Sequence, residues 1–258
     1  MKISVASCSE AGHRQRNDDV LGSWIGEHGA CFVVCDGVGG YAGGDRAATL
    51  VRDLLLAQVS QLEQLTLQNT TAAVAGVEEA ICAAQLNDAG CAQMSTTLAA
   101  LFTDRERQRV WWAHAGDSRI YHFRRGQLAG VTRDHSLRQQ FADAGYENAG
   151  INGHLLYNAL GGHHAPYVSW HSELNVEDGD AFLLCSDGFW NPLSAGDMAL
   201  ALRLVNSPDE WLALLLQAIA PAARNDNLSA VAVWFGSPQE TTLLISPTDA
   251  ARFLPPRE

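Results

Sequence analysis

Ala30-Cys31-Phe32-Val33-Val34-Cys35-Asp36-Gly37 is an apolar run that stops at Asp-Gly, and Ala181-Phe182-Leu183-Leu184-Cys185-Ser186-Asp187-Gly188 repeats the pattern later in the chain. Short continuous apolar runs bounded by turn residues read as buried strands. A strand that ends in a carboxylate holds a negative charge at a fixed edge of the core. Two such ends brought together are costly unless a cation pairs them. The repeated pattern therefore points to a metal site in a β-rich fold.

The rest of the chain bounds what that metal could serve. At 258 residues and 47% apolar, one large core is favoured over two. The formal charge of −12, from 17 basic and 29 acidic residues, argues against a nucleic-acid or anionic-membrane partner. Lys2 is the sole lysine, which excludes a P-loop lysine, argues strongly against Schiff-base chemistry and leaves arginine to grip phosphate. The six cysteines form no C-x-x-C pair and read as small buried hydrophobes in a reducing compartment. The N-terminal residues lack the apolar core of a signal peptide, and no apolar run approaches membrane-spanning length. A soluble, cytoplasmic protein is expected.

Strand-like runs fall at residues 3–7, 30–35, 96–103, 109–115, 118–123, 168–174, 181–186 and 228–235, with Arg124-Arg125-Gly126 as a hairpin turn. Helical periodicity covers about 45–65, with Asp45 as its cap, and about 71–87; a second pair covers 196–205 and 208–220. Strands, two helices, strands, two helices and a last strand predict an α+β fold, a sheet sandwich with helices outside both faces. Residues 143–166, rich in Gly, Asn, His and Tyr, form the longest irregular stretch, the kind that often serves as a functional lid. The segment after Gly236 reads as a loose tail.

Three further acidic points sit beside apolar runs: Asp18-Asp19, Asp117 and Asp226. Taken singly, each is better explained as a turn, a cap or a solvated pair. Together they could converge on one rim. Their donors are almost wholly oxygen, which favours Mg²⁺ or Mn²⁺ over zinc. Gly37, without a Cβ, could lend its carbonyl to an ion. Two ions roughly 4 Å apart can share a hydroxide and clamp a phosphoryl group. Arg14, four residues before Asp18, is the candidate phosphate grip.

These residues resemble the metal-dependent serine/threonine protein phosphatases of the PP2C type, the PPM family. The motifs run in the family's order: Arg14-Gln-Arg-Asn-Asp18-Asp19, Asp36-Gly-Val-Gly-Gly40, Ser95-Thr-Thr97, Gly116-Asp-Ser-Arg119, Arg133-Asp-His-Ser136, Ser186-Asp-Gly188 and Asn225-Asp-Asn227. The resemblance implies a four-layer α-β-β-α sandwich, two mainly antiparallel sheets flanked by helical pairs. One phosphatase domain would span residues 1–236 with a flap at about 143–166, followed by a tail at 237–258.

By the same resemblance Asp36 bridges two ions, and Gly37 and Asp18 serve the second. Asp187 and Asp226 complete the coordination of the first ion, while Asp19 and Asn227 stand behind the ligands. Arg14 binds the substrate phosphate. Asp117 belongs to a third, weaker metal site, where Asn191 replaces an aspartate by a neutral and poorer ligand. Val38 stands where some members carry a histidine, which leaves the proton donor unassigned. His114 is expected to be packed or hydrogen-bonded within a strand, and His135 to fix its loop. His154, His163 and His164 fall in the flap.

The resemblance is strongest to stand-alone bacterial members, which act on phosphorylated proteins and reverse Hanks-type kinases; a subgroup belongs to type VI secretion control. A catalytically weak or inactive regulatory module of the same fold is the competing reading. A haloacid-dehalogenase-type phosphatase would need a catalytic lysine that this chain lacks.

Overall fold

The computed structural model describes residues 1–38, 43–146, 152, 155–162, 167–220 and 224–236. In chain order the elements are β1 (Ile3–Glu10), β2 (Asp19–Ile25), β3 (Gly29–Asp36), α1 (Gly44–Ser60), α2 (Leu67–Asn87), β4 (Leu98–Asp104), β5 (Arg109–Ala115), β6 (Arg119–Arg124) and β7 (Gln127–Val131). They continue with α3 (Leu137–Asp143), β8 (Ser169–Asn175), β9 (Ala181–Cys185), α4 (Asp187–Trp190), α5 (Ala195–Leu202), α6 (Pro208–Ala218) and β10 (Leu228–Phe235). Two antiparallel sheets of five strands result, ordered β1-β10-β9-β6-β7 and β2-β3-β4-β5-β8.

Strand β3 shows why the layers stack. Successive side chains of a strand point to opposite faces. Cys31, Val33 and Cys35 therefore pack with Val51 and Leu55 of α1 and Val74 and Val77 of α2. Ala30, Phe32 and Val34 face the other way, onto Phe182 and Leu184 of β9 and Val231 and Val233 of β10. The opposite faces of β9 and β10, through Leu183, Cys185, Ala230 and Ala232, meet Met198 of α5 and Trp211 and Leu215 of α6. The expected four-layer sandwich with helical pairs on both faces is thus what forms. A strand covered on both sides has no polar face, and so its sequence reads as one apolar run.

Several boundaries differ from the sequence expectations. Asp45 does not cap α1; it lies in the first turn, and Gly43 takes the cap position at φ 100° with no side-chain cap. α1 ends at Ser60 instead of running to 65, while α2 begins at Leu67, not 71. Thr66 and Asn69 there bond each other's backbone reciprocally, Asn69 N to Thr66 Oγ1 at 3.2 Å and Thr66 N to Asn69 Oδ1 at 2.8 Å. Such caps contribute about 1 kcal/mol each and set the helix start. Strands β2 and β7 and helices α3 and α4 were not anticipated. The turn at Arg124-Arg125-Gly126 is a hairpin as expected, with positive φ at Arg125 (52°) and Gly126 (68°), the geometry that matches strand twist. Cys31, Cys35, Cys91 and Cys185 are buried as expected, whereas Cys8 is half-buried and Cys82 exposed.

The segment proposed as a flap lies partly outside the described residues, as does all of the 237–258 tail. His154, His163 and His164 are also outside them. No helix among the described residues is long and apolar enough to cross a membrane.

Candidate metal centre

The strand register brings the acids to one end of the sandwich. In the β2–β3 pairing Asp19 stands opposite Asp36, and β10 ends its pairing with β1 at Leu228, leaving Asp226 just beyond the sheet. β9 stops at Cys185, Ser186 follows in extended backbone, and Asp187 opens the one-turn α4. Asp117 sits between β5 and β6, after Gly116 has turned at φ 93°. The outcome is a single cavity of about 600 Å³ lined by Asp18, Asp36, Asp117, Asp187 and Asp226, together with Gly37 and Arg14. Asp19 does not line it; it is buried directly behind.

The two glycines after the key aspartates are needed for reasons of packing. A Cβ on Gly37 would stand 2.5 Å from the carbonyl carbon of Gly44, so the start of α1 can approach only a glycine. A Cβ on Gly188 would stand 2.2 Å from the Asn227 carbonyl oxygen, at the entrance to β10. The two Asp-Gly pairs thus admit different neighbours to the rim.

A hydroxyl and amide framework fixes the carboxylates. Thr97 Oγ1 accepts the Asp36 backbone N–H (2.9 Å) and shares a hydrogen bond with Ser118 Oγ (2.6 Å), tying the Asp36 end to the loop that carries Asp117. Thr97 N donates to the Asp36 carbonyl at 2.9 Å, and Thr96 Oγ1 to the same oxygen at 2.8 Å. Asn227 accepts the Asp18 N–H on Oδ1 (2.9 Å) and donates Nδ2 to the Ala11 and Arg16 carbonyls (3.0 and 2.8 Å). It thereby staples the loop that carries Arg14. Ser186 Oγ donates to Asp19 Oδ2 at 2.7 Å. Sequence reading assigned no role to Thr97, Ser118 or Ser186, although all three lie inside the quoted motifs.

Burial first, and like charge after it, set the electrostatics. Burial, reinforced by Asp19, Asp187, Asp117 and Asp226, pushes the Asp36 carboxyl well above the usual range. Burial likewise pushes Asp19 up to about 6, against hydrogen bonds that stabilise its charge. Arg14 offsets part of this, its Nη2 lying 2.8 Å from Asp226 Oδ2, and that bond raises the guanidinium pKa further. A hard divalent cation fits such a donor set. The donors are all oxygen, the carboxylates resist sharing one rim without positive charge, and the buried Asp19 Oδ1 has no hydrogen-bond partner. Among the described residues no three acidic, histidine or cysteine side chains close on one point by themselves. The carboxylates ring the cleft, and hard ions complete such partial shells with water and carbonyl oxygen.

Next to this cleft lies a smaller cavity of about 240 Å³, which Asp117 and Asp187 also line and where Asn191 and Arg138 join them. Its wall is braced by Arg119, which grips Asp134 with two bonds (2.7 and 2.8 Å) and stacks its guanidinium 3.3 Å from the Trp190 ring. Trp190 Nε1 in turn donates to the Asp117 carbonyl at 2.9 Å. His114 and His135 behave as structural residues: His114 Nε2 meets the Gly116 carbonyl at 2.9 Å, and His135 Nδ1 accepts the Gly116 N–H at 3.2 Å. No described histidine lines the acidic cavity.

A four-layer sandwich with an oxygen-donor cleft at one end of both sheets is the architecture of the metal-dependent protein phosphatases. The chain belongs to the protein phosphatase 2C family, whose model matches residues 9–231. It is 32% identical over 183 residues to the serine/threonine protein phosphatase PstP of Mycobacterium tuberculosis, covering 67% of this chain and 34% of PstP. The chain thus spans about a third of the length of that curated relative. The crystal structure of the PstP catalytic domain in complex with two manganese ions superposes with a TM-score of 0.77 at 29% identity, covering 90% of this chain and 97% of that one. PppA, a regulatory component of the type VI secretion system in Pseudomonas aeruginosa, superposes at 0.74 with 27% identity, covering 91% and 98%.

Proposed function

We propose that the chain is a Mg²⁺- or Mn²⁺-dependent protein phosphatase that hydrolyses phosphoserine and phosphothreonine. The observation that carries this reading is the convergence of five aspartates and Arg14 on one cavity. Two divalent ions held there would supply activated water and neutralise phosphoryl charge, which matters because phosphate monoesters hydrolyse extremely slowly unaided. Asp36, central among the acids, would serve both ions. Asp18 and the Gly37 carbonyl would serve one, and Asp187 and Asp226 the other. The PstP catalytic domain with two manganese ions supports that count.

The remaining steps fall to the protein's own groups. Arg14 is more than half exposed at the cleft mouth, so it can take a phosphate oxygen while staying beside Asp226. Asn227 holds the Arg14 loop in register, and Asp19, buried behind the ligands with Oδ1 unpartnered, would orient them or a bound water. No described histidine stands on the cavity wall to protonate the leaving serine or threonine oxygen. A third ion at Asp117 would be held weakly, because Asn191 is neutral and Arg138 borders the same space. The substrates would be phosphoproteins made by a Hanks-type kinase. The likeness to PppA favours type VI secretion control as the setting.

Purified chain, stripped by chelator, tests the reading with a phosphothreonine peptide. Turnover is expected only after Mn²⁺ or Mg²⁺ is restored. A folded chain without metal-dependent turnover refutes it and leaves the regulatory-module reading.

A further inference from the structure

A cavity of about 560 Å³ lies on the far side of the wall that bounds the acidic cleft. That wall is one pair of chain segments thick. Tyr157 N donates to the His135 carbonyl at 3.0 Å and Leu137 N to the Leu155 carbonyl at 2.8 Å. Alternation along it sends Leu156 to the acidic cleft and Asp134 and Ser136 to the small cavity, while His135 and Tyr157 face this larger space.

The lining is unlike that of the acidic cleft. Trp112 stacks on His171 with ring centroids 3.8 Å apart, and Tyr157 and Tyr167 lie 5.7 and 5.0 Å from the His135 ring. Nearby, His122 Nε2 lies 3.3 Å from the Asp180 carboxylate, and Arg133 is paired with Asp143. Burial holds His114 and His135 neutral, their pKa values pushed down to about 3 and 4. Gly130 on β7 lines the same space, and a Cβ built there would meet nothing within 4 Å. The volume lies within the usual range for small-molecule sites, and walls of aromatic rings that also carry imidazole, phenol and hydroxyl groups favour flat ligands with a ring N–H.

We propose that this cavity binds a small, uncharged planar heteroaromatic molecule of about indole size, stacked among Trp112, His171 and the two tyrosines. The occupant would lie behind Asp117. The cavity floor is His114 and His135, which hold the carbonyl and N–H of Gly116, the residue before that aspartate. Nothing in the phosphatase reading uses this space, so the proposal stands apart from it.

The test titrates the purified Mg²⁺-loaded chain with indole, followed by calorimetry and amide NMR. One saturable site is expected, with shifts at the Gly116, His135 and Ser169 amides. Gly130→Ala keeps binding, since its Cβ meets nothing; Gly130→Leu projects a side chain into the cavity and weakens binding at least tenfold with the melting temperature unchanged. If Gly130→Leu melts early, Tyr167→Ala, at an exposed position, must weaken indole instead. No saturable binding, binding untouched by these variants, or a preference for tetramethylammonium over indole overturns the proposal. So does a phosphothreonine peptide whose tryptophan enters the cavity while free indole does not, because the occupant is then a substrate side chain.

Discussion

The chain ends two buried strands in the same dipeptide, and the structure uses the two ends differently. At Asp36-Gly37 the strand stops against the start of α1, its aspartate ringed by four others and its backbone pinned by Thr96 and Thr97. At Asp187-Gly188 the chain turns into a single helical turn, and its glycine yields to the entrance of β10. The lesson is that a shared motif marks a shared place, the sheet end, while the neighbour admitted by each glycine decides what the aspartate can face. Asp36 sits at the focus of the ring. Asp187 sits at its edge, shared with the small cavity that holds Asn191.

The largest difference should appear in catalysis. Asp36→Asn is expected to lower kcat/KM on a phosphothreonine peptide by about 10³-fold or more, and Asp187→Asn by about 10²-fold, as for loss of a central and a peripheral electrostatic group. Equal losses would break the comparison. Stability should rank the glycines in the reverse order. Gly188→Ala forces a Cβ against a backbone oxygen at 2.2 Å and Gly37→Ala against backbone at 2.5 Å. Each should cost about 1–3 kcal/mol or more by denaturant unfolding, Gly188→Ala the more.

A smaller effect sharpens the role of the Asp36 framework. Thr97→Ala strands the Asp36 N–H and the Ser118 hydroxyl, at a cost of about 1–3 kcal/mol, whereas Thr97→Ser should preserve most of the stability. The smallest concerns pH. His114 and His135 titrate lower in the fold than in an unfolded chain, so the unfolded state binds more protons between about pH 6.5 and pH 3–4. Their contribution is complete above about pH 6.5 and is lost as pH falls through that window. His135→Gln should flatten this part of the stability profile, measured by urea midpoints across pH.

How much of this was legible beforehand follows from burial. Strands β3, β9 and β10 announced themselves because both faces are covered and the residues are apolar throughout. Strand β2 did not, since most of its residues are only partly buried, and Gly22 interrupts it where Arg52 and Leu56 of α1 press close. Edge strand β7 is largely exposed, and α3 buries no residue, so neither leaves an apolar stripe to read. The α1 start was misread because an acidic residue near a helix N-terminus suggests a cap, yet the backbone there needs the left-handed conformation that Gly43 supplies.

The site divides along similar lines. Carboxylates at strand ends are conspicuous in sequence, and all five predicted cleft acids line one cavity. The hydroxyls of Thr97, Ser118 and Ser186 are not conspicuous, because serine and threonine serve caps, turns and strands alike. Their role appears only when residues 21 to 167 positions apart meet. The aromatic cavity was likewise invisible, being assembled from β5, β7, β8 and the segment around Tyr157.

The central claim is that Asp36 is shared by two cations and Asp187 serves one. Calorimetric titration of Mn²⁺ into chelator-stripped protein measures it directly. Two tightly bound ions are predicted for the unmodified chain, one for Asp187→Asn and none for Asp36→Asn, all three proteins being folded. Two ions retained by Asp36→Asn would contradict the account.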